Sequence, residues 1–246
     1  MILHRQHFEQ IDSTHAYLMR AGNDLPEGTL ITTDFQKEGR GRLGRKWTAS
    51  PGSSLLASLL LKPGIAAAHA PQLTHLMALA CARTLNDAGL EVGIRWPNDL
   101  ICNGRKIAGI LAEASLNGND VIFAVLSLGI NLNQTREELA AIDRPATSCA
   151  LETGRAWNAD TVLATLIEEL KTLYKTFLKA GFPAFKNEWE SLNSLRGTDI
   201  TLDLGTRTIA GTVEGIDDTG ALILATPEGV RTFSSGEVVR VSGGFL

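Results

Sequence analysis

Cysteine is scarce. Cys81, Cys102 and Cys149 are odd in number, far apart and without a Cys-x-x-Cys pair, so neither a disulfide framework nor a zinc site is indicated. They read as buried, reduced thiols. Long apolar runs are also missing: no stretch approaches the ~20 residues of a membrane span. The N-terminus, MILHRQHFEQ, has neither a basic lead nor an apolar h-region. A cytoplasmic protein with no membrane partner is expected. Positive charge is in deficit overall, with 23 Lys and Arg against 27 Asp and Glu, and aromatics make up only 6%. That balance counts against a general nucleic-acid surface, which needs a basic face interleaved with aromatics. Internal repeats and low-complexity tracts are absent from the sequence.

What is present is the composition of an ordinary globular protein, 44% hydrophobic and 20% charged. A chain of 246 residues is long for one domain and short for three, so one substantial domain plus a small one is expected. HFEQI reads as a strand leading through Asp12, Ser13 and Thr14 into a helix over HAYLMRA, with Gly22 as its stop. GTLITTDF and SSLLASLLL read as strands. APQLTHLMALACARTLNDAG reads as a helix punctuated by Pro71 and Gly89. VGIRWPNDLIC and RKIAGILAEAS, joined by Asn103-Gly104, read as a β-hairpin, and VIFAVLSLGINL follows as another apolar strand after Asn117-Gly118. Helical spacing returns from Asp160 to Ala180, and beyond it short β runs broken by Gly205, Gly220, Gly229 and Gly236 indicate a small antiparallel barrel. His4 and His7, three apart on a presumed strand, point to opposite faces and make poor metal partners.

One segment departs from the acidic background. KEGRGRLGRKW, residues 37–47, gathers Lys37, Arg40, Arg42, Arg45 and Lys46 around three glycines and a single acid, Glu38. Gly39-x-Gly41-x-x-Gly44 matches the dinucleotide fingerprint formally. That motif must open a helix, however, and KWTASPGSS leads to a strand instead. A nucleic-acid patch, since Arg-rich segments bind phosphate backbones, and a solvated flexible loop remain as readings of the segment taken alone.

It is accompanied by others. In order along the chain, Asp12-Ser13-Thr14, GRGRLGRKW, RWPNDLICNGRKIAGILAE and LSLGINLN resemble biotin–protein ligases, and GTVEGIDDTGALIL with SSGEV resembles that family's small C-terminal domain. The resemblance implies an α+β fold: a mixed, largely antiparallel sheet with packed helices, like class II aminoacyl-tRNA synthetases and biotin–lipoate ligases, over residues 1–194. A Src-homology-3-like all-β barrel is implied over 195–246. It implies that biotin and ATP form biotinyl-adenylate, with Mg²⁺ brought by ATP and no protein metal ligand assigned. The biotinyl group then passes to a lysine of a biotin carboxyl-carrier domain.

Ser13, Thr14, His15, Gln36, Gly39, Arg40, Gly41, Arg42, Lys106, Gly109 and Gly129 match the family's biotin-binding positions. Arg42, Trp47, Asn98, Asp99, Lys106 and Asn131 match its nucleotide side, and Lys106, Arg40 and Arg42 are the catalytic candidates. The Gly-rich loop is expected to be disordered without ligand and to fold over the phosphates. Two departures stand out: His15 where Asn is usual, and Arg95 where Lys is common. Only eleven residues precede Asp12, so a ligase without an N-terminal DNA-binding domain is expected; a homodimer is left open. Lipoate or octanoate ligases and transferases share the sheet and central lysine, but the GRGRLGR segment and terminal barrel favour biotin. A non-catalytic nucleic-acid-binding module is the more distant alternative.

Overall fold

The structure, a computed structural model, describes residues 1–142, 144–242 and the backbone of 244–245. Asp143, Gly243 and Leu246 lie outside the described residues, the last two within the stretch expected to form the C-terminal barrel. The larger sheet contains β1 (His4–Ile11), β2 (Thr29–Gln36), β3 (Ser54–Leu61), β4 (Val92–Arg95), β5 (Asp99–Cys102), β6 (Arg105–Asn117) and β7 (Asp120–Asn131). Its strand order is β1-β2-β3-β7-β6-β5-β4. Only β1 and β2 run parallel, because α1 (Thr14–Ala21) carries the chain back over the sheet between them. The others are antiparallel, as expected of a sheet built mainly from hairpins. The stretch read as one hairpin makes two turns: β4 meets β5 across Trp96-Pro97-Asn98, and β5 meets β6 across Asn103-Gly104. Both Asn103 and Gly104 take the positive φ that a tight turn requires.

Helix α2 (Gln72–Asp87) lies in the main core with α5 (Ala159–Ala180), between them the short α3 (Arg136–Ala140) and α4 (Cys149–Thr153), and after them α6 (Lys186–Ser191). Ser13 caps α1 by accepting from the Ala16 amide. Gly22 does end α1, but in ordinary right-handed geometry. A Cβ there would stand 2.6 Å from the Phe123 ring, so close packing and not backbone freedom requires the glycine. Every residue of β3 is buried, since α1 covers one face (Leu18, Ile31, Leu60, Phe123 and Val125 form that core) and α2 and α5 the other. A leucine so buried contributes about 1.5–3 kcal/mol. All three cysteines are buried and free, and burial pushes their thiols up, that of Cys149 to about 12.

The second sheet contains β8 (Asp199–Asp203), β9 (Thr208–Ile216), β10 (Leu222–Thr226), β11 (Gly229–Phe233), β12 (Glu237–Val241) and β13 (Gly244–Phe245), all antiparallel in the order β11-β10-β9-β8-β12-β13. Register shifts at Ile223/Leu224 and Val238/Arg240 bend it. Its apolar face joins the core of the larger sheet, with Trp96 and Trp189 at the junction beside Ile200 and Leu222. Polar contacts fix the orientation: Trp96 Nε1 donates to Gly220 O at 3.1 Å, and Glu190 accepts from the Ile216 amide. No helix among the described residues is long and apolar enough to cross a membrane.

Candidate functional site

Residues directly opposite one another in a sheet share a face. Register therefore aligns Leu56, Gly129, Gly109 and Asp99 in one row across β3, β7, β6 and β5. The next row holds Ser58, Ser127 and Leu111, and the one beyond it Leu60, Val125 and Glu113. This is the face that α1 covers, and over Gly109 and Gly129 it is covered by Trp47. The paired glycines leave a flat shelf, and the Trp47 ring lies on it: a Cβ on Gly129 would stand 2.4 Å from the indole, and one on Gly109 3.0 Å.

The basic segment is folded into a short hairpin. Arg40 and Lys46 form an antiparallel bridge, Gly41 N donates to Arg45 O at 2.8 Å, and Trp47 N donates to Gly39 O at 2.9 Å. Side chains then tie the hairpin to both sheets. Arg42 donates to Asn98 Oδ1 at 3.0 Å and to Gly236 O at 3.3 Å, while Arg45 pairs with Glu237. Gly39 serves close approach, since a Cβ there would meet Trp47 O at 2.3 Å and Gln36 Nε2 at 3.2 Å.

Beyond the shelf, Lys106 Nζ stands 2.5 Å from Asp99 Oδ1 and 5.8 Å from the centre of the Trp47 ring. The Lys106 backbone is held on both sides, its N–H donating to Pro145 O and its carbonyl accepting from Thr147 N. A register shift between Leu100 and Ile101 brings Lys106 level with Ile101. Arg95 pairs with Asp99 across β4 and β5. Burial pulls the Arg95 guanidinium below its ordinary value, Asp99 opposing and Arg144 assisting. It pulls Arg42 down too, against Asp99 and Glu237. For Glu237 burial pushes upward, but hydrogen bonds from Arg144 and Arg45 outweigh it and hold the carboxyl below the usual range. Cations thus outnumber acids here, and Arg95 Nε and Trp47 Nε1 are buried without a hydrogen-bond partner among the described residues.

A second polar group lies at the start of α1. Thr14 N and Oγ1 both donate to Gln36 Oε1, at 2.9 and 3.2 Å. Ser13 and Thr14 are buried, as is His15, whose ring meets Ser127 and Glu113.

The structure thus brings Arg42, Trp47, Asn98, Asp99, Lys106, Gly109 and Gly129 together, and Gly39 joins them to Ser13, Thr14 and Gln36. Arg40 stands apart, and Asn131 lies one row beyond Gly129 on the same face of β7. Arg40 is exposed and its guanidinium has no partner among the described residues, while its neighbour Gly41 belongs to the hairpin turn. Asn131 is buried, its amide donating to Thr147 O and accepting from Gln134, so it holds the segment against which Lys106 is braced. Sequence reasoning missed Arg144 and Glu237, which carry no local signal. It also missed Ser58 and Ser127, each a hydroxyl inside an apolar strand and so in need of a buried partner.

The fold and the relatives of this chain define a cofactor–protein ligase. The chain belongs to the biotin/lipoate A/B protein ligase family, whose model matches residues 7–131; the biotin protein ligase C-terminal domain matches residues 197–241. It is 34% identical to the biotin–[acetyl-CoA-carboxylase] ligase of Paracoccus denitrificans, over 92% of this chain and 96% of that one. It is also 34% identical to the bifunctional ligase/repressor BirA of Bacillus spizizenii, over 89% of this chain and 68% of that one. The biotin protein ligase of Aquifex aeolicus, solved with biotin and ATP, superposes with a TM-score of 0.80 at 28% identity, covering 96% of this chain and 97% of the other.

Proposed function

We propose that this chain joins biotin to ATP to give biotinyl-adenylate and pyrophosphate, then passes the biotinyl group to a lysine of a biotin carboxyl-carrier domain. The observation that carries this reading is the glycine shelf flanked by a hydrogen-bonding group at one end and clustered cations at the other. Thr14, Gln36 and the Ser13 hydroxyl suit the ureido ring, a buried polar group that needs matched partners. The apolar body of biotin lies over Gly109 and Gly129 in place of the Trp47 indole, which moves onto the adenine. Its carboxylate then approaches Lys106 and Arg42.

Attack of a carboxylate oxygen on the α-phosphorus forms the mixed anhydride and releases pyrophosphate. Two anions repel, so fixed cations supply much of the stabilisation. Lys106, braced on its strand, spans the carboxylate and α-phosphate, and Arg42 holds the phosphate after moving from Asn98 and Gly236. Arg95 Nε gains a partner when the anion arrives. Mg²⁺ takes few protein ligands and many phosphate and water oxygens, so Asp99 beside the triphosphate is a fitting donor set. The ion would neutralise phosphate charge. With the hairpin closed, water is kept from the anhydride until a lysine amine attacks its carbonyl carbon and AMP leaves.

The test is pyrophosphate release with ATP, Mg²⁺ and either biotin or lipoate. Release with biotin alone is expected; preference for lipoate, or release independent of both acids, overturns the reading.

A further inference from the structure

Lys106 sits where the larger sheet stops supporting it. The β6–β7 ladder reaches no further than Ala108 opposite Ile130, and the register shift in β5 leaves Ile107 without a residue opposite. Past that point the neighbour of Lys106 is segment 145–147, which runs parallel to it: Lys106 N donates to Pro145 O and Thr147 N donates to Lys106 O, both at 2.9 Å. The aim of the Lys106 side chain therefore depends on a stretch that belongs to no helix and no strand of the sheet.

Side chains fix that stretch at Thr147. Its carbonyl accepts from Asn131 Nδ2 at 3.0 Å, and its hydroxyl, fully buried, donates to Glu152. Glu152 lies near the end of α4, and only 6% of its side chain is exposed. A charge so buried persists only where donors match its oxygens. Asn103 and Arg105 supply two more, each at 2.7 Å. Burial pushes the Glu152 carboxyl upward, but hydrogen bonds from Thr147, Asn103 and Arg105 hold it below the usual range. The three donors come from the β5–β6 turn, the first residue of β6 and segment 145–147, which are the pieces of chain before and beside Lys106. Arg105, 39% exposed, supplies the counter-charge from the surface, and its removal leaves the bond to Thr147 in place.

We propose that Glu152 is a positioning residue for Lys106: its carboxylate ties the β5–β6 turn to segment 145–147 and so holds the strand end that aims the ammonium. The inference rests on the reading that Lys106 serves adenylation. Glu152 acts through the backbone of its neighbours, since its oxygens are taken up by Thr147, Asn103 and Arg105. Stiff backing matters because a misplacement of about 1 Å, caused by a change far from the chemistry, can cost about 10²-fold in rate.

Single-turnover formation of biotinyl-adenylate tests this in Glu152→Ala and Thr147→Val, each made alone and together with Lys106→Ala. Thr147→Val keeps the shape of the buried side chain and deletes the bond to Glu152, so it carries the test even if Glu152→Ala fails to fold. Each single variant is expected to lose about 10- to 100-fold in rate, the range for a misplaced catalytic group. The ATP concentration giving half the maximal rate should change little, as expected when a contact made mainly in the transition state is weakened. In the Lys106→Ala background the same substitutions should cost almost nothing more, because the group they aim is gone. Thr147→Ser, which keeps the hydroxyl, should recover most of the rate. Variants that melt lower yet react at the wild-type rate, or losses as large without Lys106 as with it, make Glu152 a purely structural residue and overturn the inference. A Lys106→Ala protein as fast as wild type overturns the role of Lys106 and this inference with it, while leaving biotin as the substrate. Failure of the wild type to form adenylate from biotin overturns the functional reading instead.

Discussion

Replacing Lys106 by Ala removes a cation that is already engaged before any substrate arrives. Its side chain is 25% exposed and that of Asp99 15%, with 2.5 Å between charged atoms. Breaking a fully buried pair costs about 3–5 kcal/mol. Here solvent reaches the lysine, and Arg95 and Arg42 still act on Asp99. The loss of stability should therefore be smaller, about 1–2 kcal/mol, the range of a charged hydrogen bond. The chemical cost should be larger, because the lysine is needed most where two anions meet. Deletion of a comparable stabiliser lowers rates by about 10²–10³. Lys106→Gln keeps much of the packing and should fall as far as Lys106→Ala. Arg105→Ala is the control, since that neighbour turns to Glu152 at 2.7 Å and not to the shelf, and it should keep the wild-type rate. Single-turnover formation of biotinyl-adenylate, with a thermal melt for each variant, separates the two costs. A folded Lys106→Ala protein within about threefold of wild type, far short of the deficit expected for a lost stabiliser, would return Lys106 to the ordinary surface lysines.

Two further outcomes are expected. Gly129→Ala places a methyl 2.4 Å from the present indole position, so Trp47 must leave the shelf and a bound ring must ride about 1 Å higher; adenylation should drop by about 10² with little change in melting. Tryptophan fluorescence and pyrophosphate release check this, and unchanged activity would mean that the shelf carries no substrate. His75, buried against Phe182 and Trp189 and beside Gly220, is lowered by burial to about 4. Because the unfolded chain binds this proton at higher pH than the folded one, His75 contributes stability above about pH 6.5 that is lost as pH falls towards 4, by about 3 kcal/mol at most. His75→Gln should remove that part of the acid slope in denaturant titrations at pH 7 and pH 4.5; an identical slope in both proteins would refute the assignment.

Local rules made much of this protein legible from its sequence. Alternation and apolar runs marked the strands, Pro71 and Gly89 bracketed α2, Ser13 marked the start of α1, and Asn103-Gly104 marked a turn, because each depends on neighbours a few residues away. The site motifs were visible for the same reason, being short runs within single loops and strands. Tertiary structure alone decided how they meet. The shelf exists because register sets Gly109 beside Gly129, and Asp99 reaches Lys106 only after the shift at Leu100/Ile101. Segment 37–47 contains little that would fold it in isolation; its anchors are Asn98, Gly236 and Glu237, contributed by distant turns and by β12. Gly22 ends a helix as its sequence predicts, yet for a reason that lies on β7. Asn131 carries a family motif, yet the fold uses its amide to brace the segment behind Lys106. His15 stands where the family usually has Asn, and its ring is held by Ser127 and Glu113, which β7 and β6 bring to it. Partners brought from distant strands are set by register and packing of the whole sheet, and no local pattern encodes them.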